Sequence, residues 1–151
     1  MKSYNELKKL LGKHEVKDNK IIKDWLKKYA VKGDIAIDPK DTAWCAAAVN
    51  AAERAAGSAG NGKLNARSFL TYGTVVYDKA KGIGKPELAK KGDICIFERG
   101  GSTWTGHVGF VDGLETAKDG SKLVRVLGGN QGNAVSIGWY QQSRLLGVRR
   151  V

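Results

Sequence analysis

The chain is poor in the residues that build cross-links and metal clusters: its 151 residues include only two cysteines and two histidines. Two cysteines cannot make a disulfide framework, so Cys45 and Cys95 are read as free thiols, suited to synthesis in a reducing cytosol. With His14 and His107 they form no recognisable zinc spacing. The N-terminal stretch Met1-Lys2-Ser3-Tyr4-Asn5-Glu6-Leu7 lacks the apolar segment of a signal peptide, and no secretory leader is expected. No apolar run approaches the roughly 18–20 residues of a membrane span. Acidic residues are scarce too, 15 against 26 Lys and Arg, for a net charge of +11. The excess is spread along the chain, +5 over residues 1–40 and +6 over the rest. Such a coat suits loose attraction to an extended polyanion such as cell-wall polymer. Base readout needs a concentrated patch or a reading helix. The aromatics sit in apolar runs and not among a Lys/Arg stripe, which disfavours a nucleic-acid-binding module. Repeats, low-complexity segments and linkers are absent, and one domain is expected over 1–151.

What is present divides the chain in two. The first part, about 1–73, reads as helical. Leu7, Leu10 and Leu11 share one face, and Ile21, Ile22, Trp25, Leu26 and Tyr29 follow at helical spacing. Asp18 or Asn19 can cap the second helix, with Gly33 after its end. Asp41 or Thr42 is the expected cap of a third helix, which carries Cys45 in or beside its first turn and stops at Gly57. The run from Ala46 to Ala52 is rich in small side chains that let this helix lie close to a sheet. Asn65 opens a short helix with Phe69, Leu70 and Tyr72, closed by Gly73. From about residue 92 the pattern turns to short β-branched and aromatic runs: 93–97, 107–111, 123–127, 134–137 and a last one at 145–149. Helices followed by a strand meander predict an α+β fold, with an antiparallel sheet of about five strands packed on the Cys45 helix.

The chemistry-bearing residues are few. A thiol at a helix start meets unpaired N–H groups and the positive end of the helix dipole, both of which favour thiolate. His107 opens a strand-like run, and an imidazole beside that thiol completes a nucleophile and its base. Gly106 and Gly109 leave room there for a substrate backbone. Cys95 alternates with Asp93 and Phe97 and is expected to be buried packing, and His14 falls in a Lys-rich surface turn. Asn130 follows a strand through two glycines; its amide can fix the imidazole tautomer, or it is a turn asparagine, with Gln131 competing for the role. Trp44 and Trp104 are candidates to line a cleft, although Trp44 can equally be core. Asp34, Asp38 and Asp41 precede the thiol without the EF-hand pattern, so calcium stays a minor alternative to an enzyme without metal or cofactor.

The order of helix-borne Cys, strand-borne His and a polar residue on the next strand resembles the papain-like peptidoglycan hydrolases, the CHAP and NlpC-type group. The segments Thr42–Ala47, Ala66–Leu70, Gly92–Ile94, Gly106–Phe110, Leu127–Gln131 and Ser143–Gly147 resemble small phage and bacterial proteins of that kind. The resemblance implies a phage endolysin with Cys45, His107 and Asn130 catalytic, and Trp44, Trp104 and Gln131 near substrate. It implies cleavage of a stem-peptide or sugar–peptide amide. Members often carry a Glu between the His and the Asn, where this chain has glycine. The expected protein is a monomer made in the host bacterial cytoplasm. It acts on the wall after holin-type release, without a separate wall-binding domain. A secreted bacterial amidase effector is the alternative.

Overall fold

The computed structural model describes residues 1–29, 38–40 and 43–151. Among these residues three α-helices come first: α1 (Lys2–Lys8), α2 (Asn19–Lys28) and α3 (Cys45–Ala55). In α1, Tyr4 and Leu7 are buried. The helix stops at Lys8, so Leu10 still packs on the core while Leu11 turns out to solvent. In α2, Ile22 and Leu26 are buried, Trp25 and Tyr29 pack beside them and Ile21 is exposed, a narrower stripe than predicted. Asp18 does stand at the start of α2, but its carboxylate accepts from the His14 N–H (3.0 Å) instead of capping the helix. His14 is half-buried in a turn whose backbone bridges to Ala134.

Helix α3 is apolar nearly all round, and every residue from Cys45 to Glu53 is buried. Its alanines allow the close approach to the sheet: Ala46, Ala48 and Ala52 share one core with Val108, Phe110 and Leu127. The residue before the helix is Trp44, which makes no side-chain cap. The expected caps Asp41 and Thr42, and the expected stop of α2 at Gly33, lie outside the described residues. Gly57 takes a positive φ (95°) just past α3, as the sequence predicts.

Among the described residues the sheet has seven strands where about five were expected: β1 (Thr74–Asp78), β2 (Ile83–Gly84), β3 (Ile94–Glu98), β4 (Gly106–Thr116), β5 (Lys122–Gln131), β6 (Ala134–Gln141) and β7 (Leu145–Arg150). The two unforeseen strands lie at one edge, and most of their residues are exposed or half-buried, so they carry no clear apolar alternation. The spatial order is β2-β1-β7-β3-β4-β5-β6, with every pairing antiparallel. The helix foreseen from Asn65 is a 3₁₀ segment, Ala66–Thr71. Central strand β3 is buried on both faces, with Ile94 and Ile96 in the helix-side core and Cys95 and Phe97 in a second core behind the sheet. Among the described residues, no helix is long and apolar enough to cross a membrane.

A buried ion pair ties the late strand to the early edge. Arg149 of β7 donates to Asp78 of β1 (2.5 Å), to Leu70 O (3.1 and 2.8 Å) and to Tyr77 O (2.7 Å). The guanidinium is almost wholly excluded from water, and these acceptors offset its desolvation.

Candidate active site

The start of helix α3 lies against the start of β4: the Val108 backbone N–H bonds to the Cys45 thiol, and His107 is the residue before it. Cys45 and His107 are both 5% exposed. Burial pushes the Cys45 thiol above its ordinary range. Hydrogen bonding from the Val108, Ala46 and Cys45 backbone N–H groups and the charge of Arg99 oppose this without overcoming it. The expected net preference for thiolate is therefore corrected: desolvation outweighs the helix start, and the resting group is a thiol. Cys95, fully buried on β3 and donating to Gly109 O (3.5 Å), is pushed up by the same cause.

The imidazole of His107 is held on two sides. Its ring stacks on Tyr140 (5.2 Å between centroids, 18° between planes), and Tyr140 in turn packs on Phe97 (5.0 Å). Its Nε2 lies 2.8 Å from Gln131 Oε1. The Gln131 amide nitrogen already donates to Val126 O (3.0 Å) and Ser136 O (2.8 Å), so the amide oxygen must face the ring. An amide oxygen can only accept; Nε2 therefore carries the proton, and Nδ1 is left as the basic nitrogen. Burial lowers the His107 pKa to about 4; the Gln131 bond opposes this and the Arg99 charge adds to it. Thiol and imidazole are both neutral at pH 7.

Four sequence expectations change here. The residue bonded to the imidazole is Gln131, not Asn130. The β5–β6 register shifts between Gly128 and Gln131, and Asn130 sits at φ 60° within that irregularity. A bulge of this kind re-aims the side chains that follow it. Gln131 is buried and fully bonded, so it is not free to hold substrate. Trp44 is 0% exposed: its ring lies against Gly129, where a Cβ would fall 2.6 Å from a ring carbon, and its Nε1 donates to Glu15 (3.4 Å). It is core, not cleft wall. Gly128 is equally constrained, since a Cβ there would lie 2.5 Å from Gln131 Oε1 and 3.4 Å from His107 Nε2. Gly109 serves internal packing, since a Cβ there would meet Val126 Cγ1 at 2.6 Å; Gly106 lets β4 pass close to Phe97 O, 2.8 Å from an added Cβ, at the edge of the cleft.

A cleft of about 520 Å³ opens beside the thiol, walled by Cys45, Leu64, Ala66, Trp104, Thr105 and Gly106 among others. Trp104 is 75% exposed on its rim, where the sequence suggested a substrate contact. Arg67 shapes this wall, donating to Thr105 O (2.6 Å) and Ser102 O (2.5 Å) and so fixing the β3–β4 loop. Arg67 falls inside the segment Ala66–Leu70, and its role emerges from two carbonyls more than 30 residues away. Tyr140 was also missed. It lies on β6, beyond any spacing that points to His107.

No cluster of His, Cys, Asp or Glu fit to hold a metal occurs among the described residues. Asp38 instead accepts from Asn19 (2.8 Å) and the Lys40 N–H (3.1 Å) and pairs with Lys23 (3.5 Å). Asp34 and Asp41 lie outside the described residues.

Neither a curated protein nor a solved structure matches the chain. The family profile described as the CHAP domain matches residues 37–130, well over half of its length, and spans Cys45, His107 and the cleft. The antiparallel α+β architecture, with the cysteine at a helix start and the histidine at a strand start, agrees with that match, and the chain belongs to the CHAP family of peptidoglycan-cleaving hydrolases.

Proposed function

We propose that Cys45 and His107 are the nucleophile and base of a peptidoglycan amide hydrolase, and that Gln131 orients the base. The observation that carries this reading is the fixed tautomer. Gln131 holds Nε2–H, which leaves Nδ1 of a buried imidazole unprotonated at the start of β4, where the Val108 N–H bonds toward the Cys45 thiol. Neutral thiol and neutral imidazole call for concerted base catalysis. His107 takes the thiol proton as sulfur attacks the carbonyl, and the N–H groups at the start of α3 stabilise the oxyanion. The imidazolium then protonates the leaving amine, and water hydrolyses the thioester. Thiol and imidazole suffice for this chemistry without a metal or other cofactor.

The bond is an amide of the wall, either within the stem peptide or between sugar and peptide. The biological role is that of a phage endolysin, supported by the six segments that resemble small phage and bacterial proteins and by the +11 charge, which holds a small catalytic domain on anionic envelope. Such an enzyme acts as a monomer on the wall after release from the host cytoplasm. Digestion of purified peptidoglycan, with new termini identified by mass spectrometry, tests the reading. Wild type releases new amino termini and Cys45→Ala does not. Equal release by both proteins sinks the proposal.

A further inference from the structure

Next to the thiol cleft lies a smaller pocket of about 200 Å³, lined by Phe97, Glu98, Arg99, His107, Tyr140 and Arg144 among others. Arg99 borders both cavities. Its backbone is fixed, since Thr105 Oγ1 donates to Arg99 O (2.8 Å) and Arg67 anchors the same loop. Its side chain is exposed and has no carboxylate partner among the described residues. Arg144 enters from the 3₁₀ turn Gln142–Arg144, its Nη2 donating to Glu98 O (3.1 Å). Glu98 lines the pocket too and forms no ion pair with either arginine among the described residues, so the lining carries two basic residues against one acidic.

Which part of a substrate lies here follows from the chemistry proposed above, on which this inference rests. The group that protonates the leaving nitrogen must stand beside it. The pocket lined by His107 therefore faces the amine side of the cleaved bond, and the apolar cleft lined by Cys45 takes the acyl side. A guanidinium fixed at its backbone and unpaired at its head matches a carboxylate in geometry and charge. We infer that Arg99, supported by Arg144, selects wall peptides whose amine-side fragment carries a free carboxylate close to the scissile nitrogen. Arg99 is thus a specificity residue, and amidation of that carboxylate protects the wall.

The test compares purified peptidoglycan with the same material after chemical conversion of its free carboxylates to carboxamides. Wild type, Arg99→Gln, Arg99→Gln/Arg144→Gln and a charge-matched control, Lys81→Gln/Lys118→Gln, are measured on both. The control lysines are exposed on hairpin turns and line neither cavity. Wild type is expected to cleave the native wall at least about tenfold faster than the amidated wall. Arg99→Gln should lose most of that preference by slowing on the native wall alone, while the control keeps it. Mass spectrometry of the native digest should find a free carboxylate on the released amine-side residue. Equal Cys45-dependent rates on both walls overturn the specificity pocket and leave the hydrolase reading intact. An equal loss of preference in the lysine control overturns it as well, because bulk charge then explains the effect. Absence of Cys45-dependent cleavage of either wall overturns both readings.

Discussion

Replacing Gln131 with Met separates the bonded partner of His107 from its sequence neighbour. Methionine keeps the length and bulk of glutamine, so the packing beside Gly128 and Gly138 survives while all polar function is lost. Three hydrogen bonds disappear: the one with His107 Nε2 and those to Val126 O and Ser136 O. At about 1 kcal/mol net each, the cost to stability is about 3 kcal/mol. For a domain of this size that lowers Tm by about 10 °C, readable by circular dichroism. The kinetic loss is larger. Without its acceptor the ring is free to change tautomer and orientation, and the imidazolium formed on attack has no partner. The kcat/KM for wall hydrolysis should fall by at least about 10²-fold at a temperature where the variant is folded. Because the Gln131 bond raises the His107 pKa, its removal should also move the acid limb of activity lower. Asn130→Gly, which suits the φ of 60° at that site, should keep most of the rate and the same limb. The reasoning fails if Gln131→Met retains near wild-type kcat/KM, or if Asn130→Gly proves the more damaging change.

Four further outcomes follow from the same structure. Activity should rise with pH through about 4, not through the usual histidine range, because His107 must be neutral to act as base; a kcat/KM profile centred near 6.5 would refute the buried-imidazole account. Stability should fall by about 3 kcal/mol as pH drops from about 6.5 to about 4, since the unfolded imidazole takes up a proton there and the folded one does not; urea titrations across that window measure it. Arg149→Met should destabilise by about 3 kcal/mol or more by leaving Asp78 buried and unpaired, and the double variant with Asp78→Leu should recover part of that loss; no recovery would mean the pair is not the unit. Retention on whole wall should weaken steeply between low and physiological salt, while turnover of a small neutral peptide changes little; salt-independent retention would replace the basic coat with a shape-specific surface.

The residues by themselves determined the class of fold and the two groups on which the chemistry is proposed to rest. Period-3.6 stripes give way to period-2 runs near residue 92, and this change alone announced helices packed on an antiparallel sheet. With so few cysteines and histidines, a helix-start thiol and a strand-start imidazole stood out without any contact information. Tertiary structure decided the rest. The edge strands β1 and β2 carry almost no burial pattern, because an edge exposed to solvent imposes none. Asn130 and Gln131 are both amides after the same glycine pair, and only the shift in β5–β6 register chooses which one reaches His107. Trp44 is one residue from Cys45, yet whether it faces cleft or core depends on Gly129, more than 80 residues away. The protonation state of the thiol reversed for a like reason. Local sequence supplies the helix start that favours thiolate, but burial by distant strands outweighs it, and desolvation belongs to the folded chain as a whole.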